Sequence, residues 1–168
     1  MDMHVVATYW RAHESASLRI AIICAALVCG DLAAAQQQST SAKTPLEYFG
    51  KSVRGVPVSP AVRVGKLLFV SGTPAFDKNG KLAVGDFPAQ MKQVMENIAG
   101  ILAASGTGWE RVAKVSVFLT HQQDFAEMNR VYSTYFPSGH YPARTTVVVS
   151  ALPHPDFLLE IECEALLE

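Results

Sequence analysis

From Thr44 onward the chain alternates between two hydrophobic periods. Ala61 to Gly72 (AVRVGKLLFVSG) sets two apolar-rich arms around Gly65-Lys66, the pattern of a hairpin. Its second arm, Leu67 to Val70, reads as a strand buried on both faces. Asp77-Lys78-Asn79-Gly80 follows as a loop, because Asn-Gly tolerates positive φ. The period then lengthens. Met91, Val94, Met95, Ile98, Ile101 and Leu102 fall at helical spacing, with Asp86 placed to cap the start and Gly106 to stop the end. Arg111 to Thr120 (RVAKVSVFLT) returns to period two, with Ala113, Val115, Val117 and Leu119 on one face and Lys114 and Ser116 on the other. Asp124 to Phe136 predicts a second helix, capped by Asp124, burying Phe125, Met128, Val131, Tyr132 and Tyr135, and halted by Pro137. Arg144 to Ser150 and Leu158 to Cys163 predict two more strands, joined through Leu152-Pro153-His154-Pro155.

The order β-β-α-β-α-β-β predicts an α+β domain, a mixed sheet of about five strands with two helices on one face. The second face must then be accounted for. Val147 and Val149 alternate with Thr146, Val148 and Ser150, and Leu159, Ile161 and Cys163 alternate with Leu158, Glu160 and Glu162. A half-apolar face without helices predicts contact with another subunit, hence an oligomer.

The N-terminal segment departs from this pattern. Ile20 to Gly30 (IAIICAALVCG) is an uncharged apolar run of about 11 residues after Arg19, the length of a signal-peptide core and well short of the ~20 needed to span a bilayer. Leu32-Ala33-Ala34-Ala35-Gln36 supplies small residues where a signal peptidase reads. Residues 1–35 are therefore expected to be a cleaved signal peptide, and the product exported, periplasmic or secreted, with no membrane association after cleavage. A buried or anchoring helix is the competing reading, on account of Asp31 and the long stretch before Arg19. Gln36 to Lys43 (QQQSTSAK) reads as a flexible linker, and residues 44–168 as the folded domain.

Composition narrows the function classes. The 168 residues are 49% hydrophobic and 17% charged, with a formal net charge of -1. This excludes a disordered chain and leaves no basic excess for nucleic acid. Without residues 1–35 the 14 basic and 15 acidic residues become 12 of each, and Cys163 is the one cysteine left, so no intramolecular disulfide is expected. His121, His140 and His154 have no histidine at i+3 or i+4 and no neighbouring cysteine, so no metal site is expected. Gly106-Thr107-Gly108 follows a helix and is no phosphate loop. Cys163, in an alternating strand, reads as core.

Four stretches, in order, resemble one family. Pro57-Val58-Ser59-Pro60-Ala61-Val62-Arg63-Val64-Gly65 with Leu68-Phe69-Val70-Ser71-Gly72 is similar to the entry hairpin of the RidA (YjgF) family of enamine/imine deaminases. Asp124 to Asn129 with Tyr132 and Tyr135-Phe136 resembles its second helix. Pro142-Ala143-Arg144, Leu152-Pro153 and Leu159-Glu160-Ile161-Glu162 resemble its C-terminal signature. Each motif alone is weak, but together they run from about Thr44 to Ala165 in register.

The resemblance implies a chorismate-mutase-like fold, a homotrimer with ligand clefts between subunits, and no cofactor or metal. It also implies hydrolysis of reactive enamines and imines, such as 2-aminoacrylate, to a 2-oxoacid and ammonia. Arg144 would hold the substrate carboxylate, a task suited to a planar two-pronged donor. Glu160 would position or activate the attacking water. A two-residue slip would hand that role to Glu162, which shares its face. Ser71 would hydrogen-bond the substrate, and Gly72 would let the chain pass close to it. Thr146 stands where the family often has cysteine and would contribute through its backbone. Asn129 is a family-matched polar residue on the second helix.

Departures qualify this. Val58 stands where the deaminases commonly have tyrosine, Thr73 where they have glutamine after Ser-Gly, and Leu-Pro-His-Pro-Asp lengthens the last turn. A non-catalytic trimeric module binding small carboxylates or a protein partner is the alternative. Ribonuclease activity ranks last, because a neutral chain lacks a basic stripe.

Overall fold

Six strands and two α-helices occur among the described residues, 43–51 and 55–168 of a computed structural model. The leader and residues 36–42 of the linker lie outside the described residues. The strands are β1 (Leu46–Phe49), β2 (Ala61–Val64), β3 (Leu67–Thr73), β4 (Val112–Leu119), β5 (Ala143–Val148) and β6 (Leu159–Leu166). The helices are α1 (Phe87–Ala104), between β3 and β4, and α2 (Phe125–Tyr132), between β4 and β5. They lie within one unit, Thr44–Glu168.

The strands form one sheet in the order β1-β2-β3-β6-β4-β5. Only β4 and β5 run parallel, joined through α2; the other neighbours are antiparallel. The mixed α+β sheet with two helices is thus present, with one strand more than expected. Leu46-Glu47-Tyr48-Phe49 is too short for its alternation to stand out, and it forms a strand because β2 offers it an edge (Leu46 beside Val64, Phe49 beside Ala61).

The core lies between the sheet and both helices. Leu68 and Val70 of β3, Val115, Val117 and Leu119 of β4, and Leu159, Ile161 and Cys163 of β6 meet Met91, Val94, Met95, Ile98 and Leu102 of α1 and Met128 and Tyr132 of α2. α1 begins where Asp86 accepts a hydrogen bond from the Ala89 backbone N–H (3.0 Å), with Pro88 in its first turn. It ends at Ser105, followed by Gly106 at φ +81°. The hairpin turns at Gly65, φ +61°.

Three local expectations are corrected. Leu67 and Phe69 are 45% and 42% exposed, while Leu68 and Val70 are buried, so β3 is covered on one face only in the single chain. Ala113 is exposed and Val112 buried, because the pairing of β4 with β6 slips between Val112 and Lys114 and turns that residue outward. The second helix is shorter than expected. Gln122–Asp124 and Ser133–Tyr135 are 3-10 turns, the Asp124 side chain makes no capping bond, and Phe125 is exposed.

Two amides of α1, Gln90 buried and Asn97 partly buried, fasten the segments that lead into the candidate site. Gln90 donates from Nε2 to the Ala83 and Asp156 carbonyls (2.9 Å each) and accepts the Leu158 N–H at Oε1 (3.0 Å). Asn97 donates from Nδ2 to the Pro74 and Phe76 carbonyls (2.9 Å each). The first pins the chain just before Glu160 and the second just after Gly72.

Candidate functional site

Six residues, Gly72 among them, carry the expected chemistry, and they fall on the two sides of the sheet. In β6, Glu160 lies beside Phe118 of β4, while Ile161 lies beside Val117. Val117 and Ile161 are core, so Glu160 projects to the face away from the helices. Ser71 follows Leu67 and Phe69 on that same outer face. Arg144 and Thr146 lie beside Val115 and Val117 in the parallel pair, on the helix face. Asn129 comes from α2, above them.

On the outer face, Gly72 and Glu160 are in close apposition. A Cβ at residue 72 would come within 2.8 Å of Glu160 Cδ, so the absence of a side chain there lets the carboxylate lie across the strand. Burial pushes the Glu160 carboxyl above its usual range, and the neighbouring charge of Glu162 adds to the effect. Glu162, the alternative to it, is exposed on the same face.

Ser71 has a committed proton. Its Oγ donates to the Ser59 carbonyl at 2.7 Å, and its backbone N–H donates to the Pro60 carbonyl at 3.0 Å. Toward a ligand the hydroxyl is left with lone pairs, so it can accept and not donate. Thr73, one of the departures, is buried and donates to the Ser71 carbonyl at 2.9 Å.

On the helix face, Arg144 is half-buried. Its Nη2 donates to Asn129 Oδ1 at 2.7 Å, its Nη1 approaches Met128 Sδ at 3.6 Å, and its Cζ sits 4.7 Å from the centre of the Tyr132 ring. Asn129 therefore meets the arginine directly. Thr146 Oγ1 and Tyr132 Oη are buried with no hydrogen-bond partner among the described residues. Burial pushes the Tyr132 phenol up to about 12 although the Arg144 charge pulls it down.

Arg144 and Glu160 are thus not neighbours within one chain. They stand two strands apart, roughly 10 Å, and three residues apart along the strand direction, roughly 10 Å more, on opposite faces. A hollow of about 240 Å³ opens on the outer face between Phe69, Ser71, Lys114, Ser116, Glu162 and Glu164. Of the six candidates it reaches only Ser71.

Sequence reasoning missed Gln90 and Asn97, and it placed Met128 and Tyr132 on the buried face of the second helix without a role beside Arg144. Gln90 and Asn97 stand seven apart, two polar residues in an apolar helical stripe, which is the signal that could have drawn attention to them. Cys163 is buried, and its thiol is pushed up to about 12, mainly by burial and further by Glu162 and Glu164. No group of three or more His, Cys, Asp or Glu among the described residues is arranged to hold a metal. Among them, too, no helix is long and apolar enough to cross a membrane.

Known proteins are similar to this chain in sequence and fold. The family model described as endoribonuclease L-PSP matches residues 54–167. A RutC family protein of Pyrococcus horikoshii is 46% identical over 110 residues, covering 65% of this chain and 86% of its own. The solved structure of a Rid family protein from Yersinia pestis gives a TM-score of 0.69 at 32% identity, covering 73% of this chain and 100% of that one. Protein mmf2 of Schizosaccharomyces pombe is 40% identical over 113 residues, 66% of this chain and 88% of its own.

These relatives correct the expected localisation. They are RutC- and HMF1-type proteins, and mmf2 is mitochondrial, so export is not the destination they support. An apolar run of signal-like length and a few alanines encode hydrophobicity, and that alone does not encode an address. From its motifs, its sheet order and its relatives, the chain belongs to the endoribonuclease L-PSP family, the RidA/YjgF family.

Proposed function

We propose that this protein is a homotrimeric hydrolase of small reactive imines, with each site shared between two copies. Arg144 of one copy binds the substrate carboxylate through two charge-assisted hydrogen bonds. Glu160 of the next takes a proton from water as the oxygen attacks the imine carbon. Glu160 passes that proton to the imine nitrogen, which gives a neutral carbinolamine, and then takes the carbinolamine hydroxyl proton and delivers it to the amino nitrogen. The C–N bond breaks as the C=O bond forms, and the products are a 2-oxoacid and ammonia. An enamine enters after tautomerising to the imine. Ser71 accepts a hydrogen bond from the substrate N–H, Gly72 keeps the approach to Glu160 open, and the Thr146 backbone lines the Arg144 side.

One observation carries this reading. A half-buried guanidinium and a partly desolvated carboxylate of raised proton affinity stand on one sheet, each in a motif that resembles the family's. A carboxyl with its proton affinity shifted toward neutrality suits a group that must both take and return a proton. The two faces keep Arg144 and Glu160 apart in one chain, which is why the reading needs a second copy.

The test is 2-oxoacid release from enzymatically generated 2-aminoacrylate, with the purified protein and with Arg144→Ala. The protein accelerates release and Arg144→Ala loses the gain; a rate equal to the uncatalysed one for the unsubstituted protein refutes the proposal. Val58, 44% exposed and aliphatic where the deaminases have tyrosine, favours a second reading. In that case 2-oxoacids raise the melting temperature without any turnover. RNA cleavage, which the family description names, has no electrostatic support in a chain of formal net charge -1.

A further inference from the structure

Arg144 has unusual company for a half-buried arginine. Such a group ordinarily sits against a carboxylate, since removing a guanidinium from water without an anion is costly. Among the described residues no carboxylate pairs with it. Its partners are an amide, a thioether and an aromatic ring, all from one turn of α2. Met128 and Tyr132 stand four apart and so share a helix face, and Asn129 flanks them. Met128 and Tyr132 are 0% and 4% exposed, so the ring meets the cation away from water, where that attraction is strongest.

The cage fixes the guanidinium without neutralising it. Of its five N–H donors Asn129 takes one and Met128 a weak second, which leaves enough for a two-pronged grip on an anion. The Tyr132 hydroxyl has no partner among the described residues, so what the residue offers Arg144 is its ring face.

We infer that Tyr132 is a positioning residue whose ring sets the plane of the Arg144 guanidinium, that Asn129 sets its rotation, and that this uncharged cage selects carboxylate ligands over their neutral counterparts. The inference rests on the carboxylate-binding role given to Arg144 above. It adds a reason for the aromatic and the amide, and a specificity that depends on both staying uncharged.

The experiment is calorimetric titration of the full chain with 2-oxobutanoate and with its uncharged analogue 2-oxobutanamide. Tyr132→Leu weakens 2-oxobutanoate about tenfold and leaves 2-oxobutanamide unchanged, and Tyr132→Phe, which keeps the ring, restores the lost affinity. Asn129→Asp, on a partly exposed helix position, adds a carboxylate beside Arg144. It weakens 2-oxobutanoate at least tenfold while raising the melting temperature. Equal losses for both ligands in Tyr132→Leu would mean a merely structural role and overturn the inference. So would Asn129→Asp binding 2-oxobutanoate as tightly as the unsubstituted chain, a measurement that stands even if Tyr132→Leu fails to fold. If Arg144→Ala leaves 2-oxobutanoate binding untouched, the reading of the site itself falls and takes the cage with it.

Discussion

Glu160 illustrates how one residue ties stability to chemistry. Its carboxyl holds its proton more tightly in the folded chain than in an unfolded one, first because burial disfavours the charge and then because Glu162 repels it. For such a group the contribution to stability is complete below the ordinary carboxylate range and is lost as pH rises through the folded value. Glu160→Gln removes that loss. The variant should melt at a higher temperature than the unsubstituted protein at pH 7 and at nearly the same temperature below about pH 4, while imine hydrolysis disappears. Melting curves at the two pH values check this; a gap of the same size at both would dissociate the effect from ionisation. Such a residue, costly to stability when charged, is what a site that needs a proton carrier retains.

At the scale of elements, the β3–β6 pair is built around a missing side chain. The register slips between Val70 and Thr73, and Gly72 falls where Glu160 crosses the neighbouring strand. A methyl group at residue 72 would press on the end of a flexible side chain and not on backbone, so Gly72→Ala should fold normally with Glu160 displaced. The expected result is an unchanged circular dichroism spectrum and melting temperature with kcat/KM lower by about 100-fold, the scale of a catalytic group moved by an ångström. A fall in melting temperature with kcat/KM preserved would count against the apposition. The amides of Gln90 and Asn97 act at the same scale. Gln90 makes its hydrogen bonds to loop backbone and Asn97 donates both of its own there, while its Oδ1 accepts from Gln93, so α1 sets where β3 ends and β6 begins.

For the whole molecule, the two faces of the sheet pose the governing question. Arg144 with Asn129 and Thr146 belongs to the helix face at the β5 edge, and Glu160 with Ser71 and Gly72 belongs to the outer face, where Leu67 and Phe69 are exposed. The proposed sharing of each site between two copies predicts complementation. Arg144→Ala and Glu160→Gln should each be inactive alone. Unfolded together in equal amounts and refolded, they should recover about a quarter of the unsubstituted activity, the share of random interfaces that pair an intact arginine with an intact glutamate. No recovery in mixed trimers would place both groups of one site in one chain, against the geometry described above.

The local features were legible because local rules produce them. A 3.6-residue stripe with Asp86 before it and Gly106 after it can only pay off as a helix, and Gly65 between two apolar arms makes a hairpin whatever surrounds it. Arg144, Glu160, Ser71 and Gly72 stood out because their motifs keep one order along the chain. What no local rule carried was decided by pairing between distant segments. The β4–β6 slip turned Ala113 outward, β2 made a strand of Leu46–Phe49, and Gln90 found partners 66 and 68 residues away. The parallel register of β5 on β4 put Arg144 on the helix face, and the antiparallel register of β6 put Glu160 on the other. Residue identity and short-range periodicity are properties of the chain itself. The face a side chain ends on depends on which strand it pairs with and in what register, and that is settled only when the core closes.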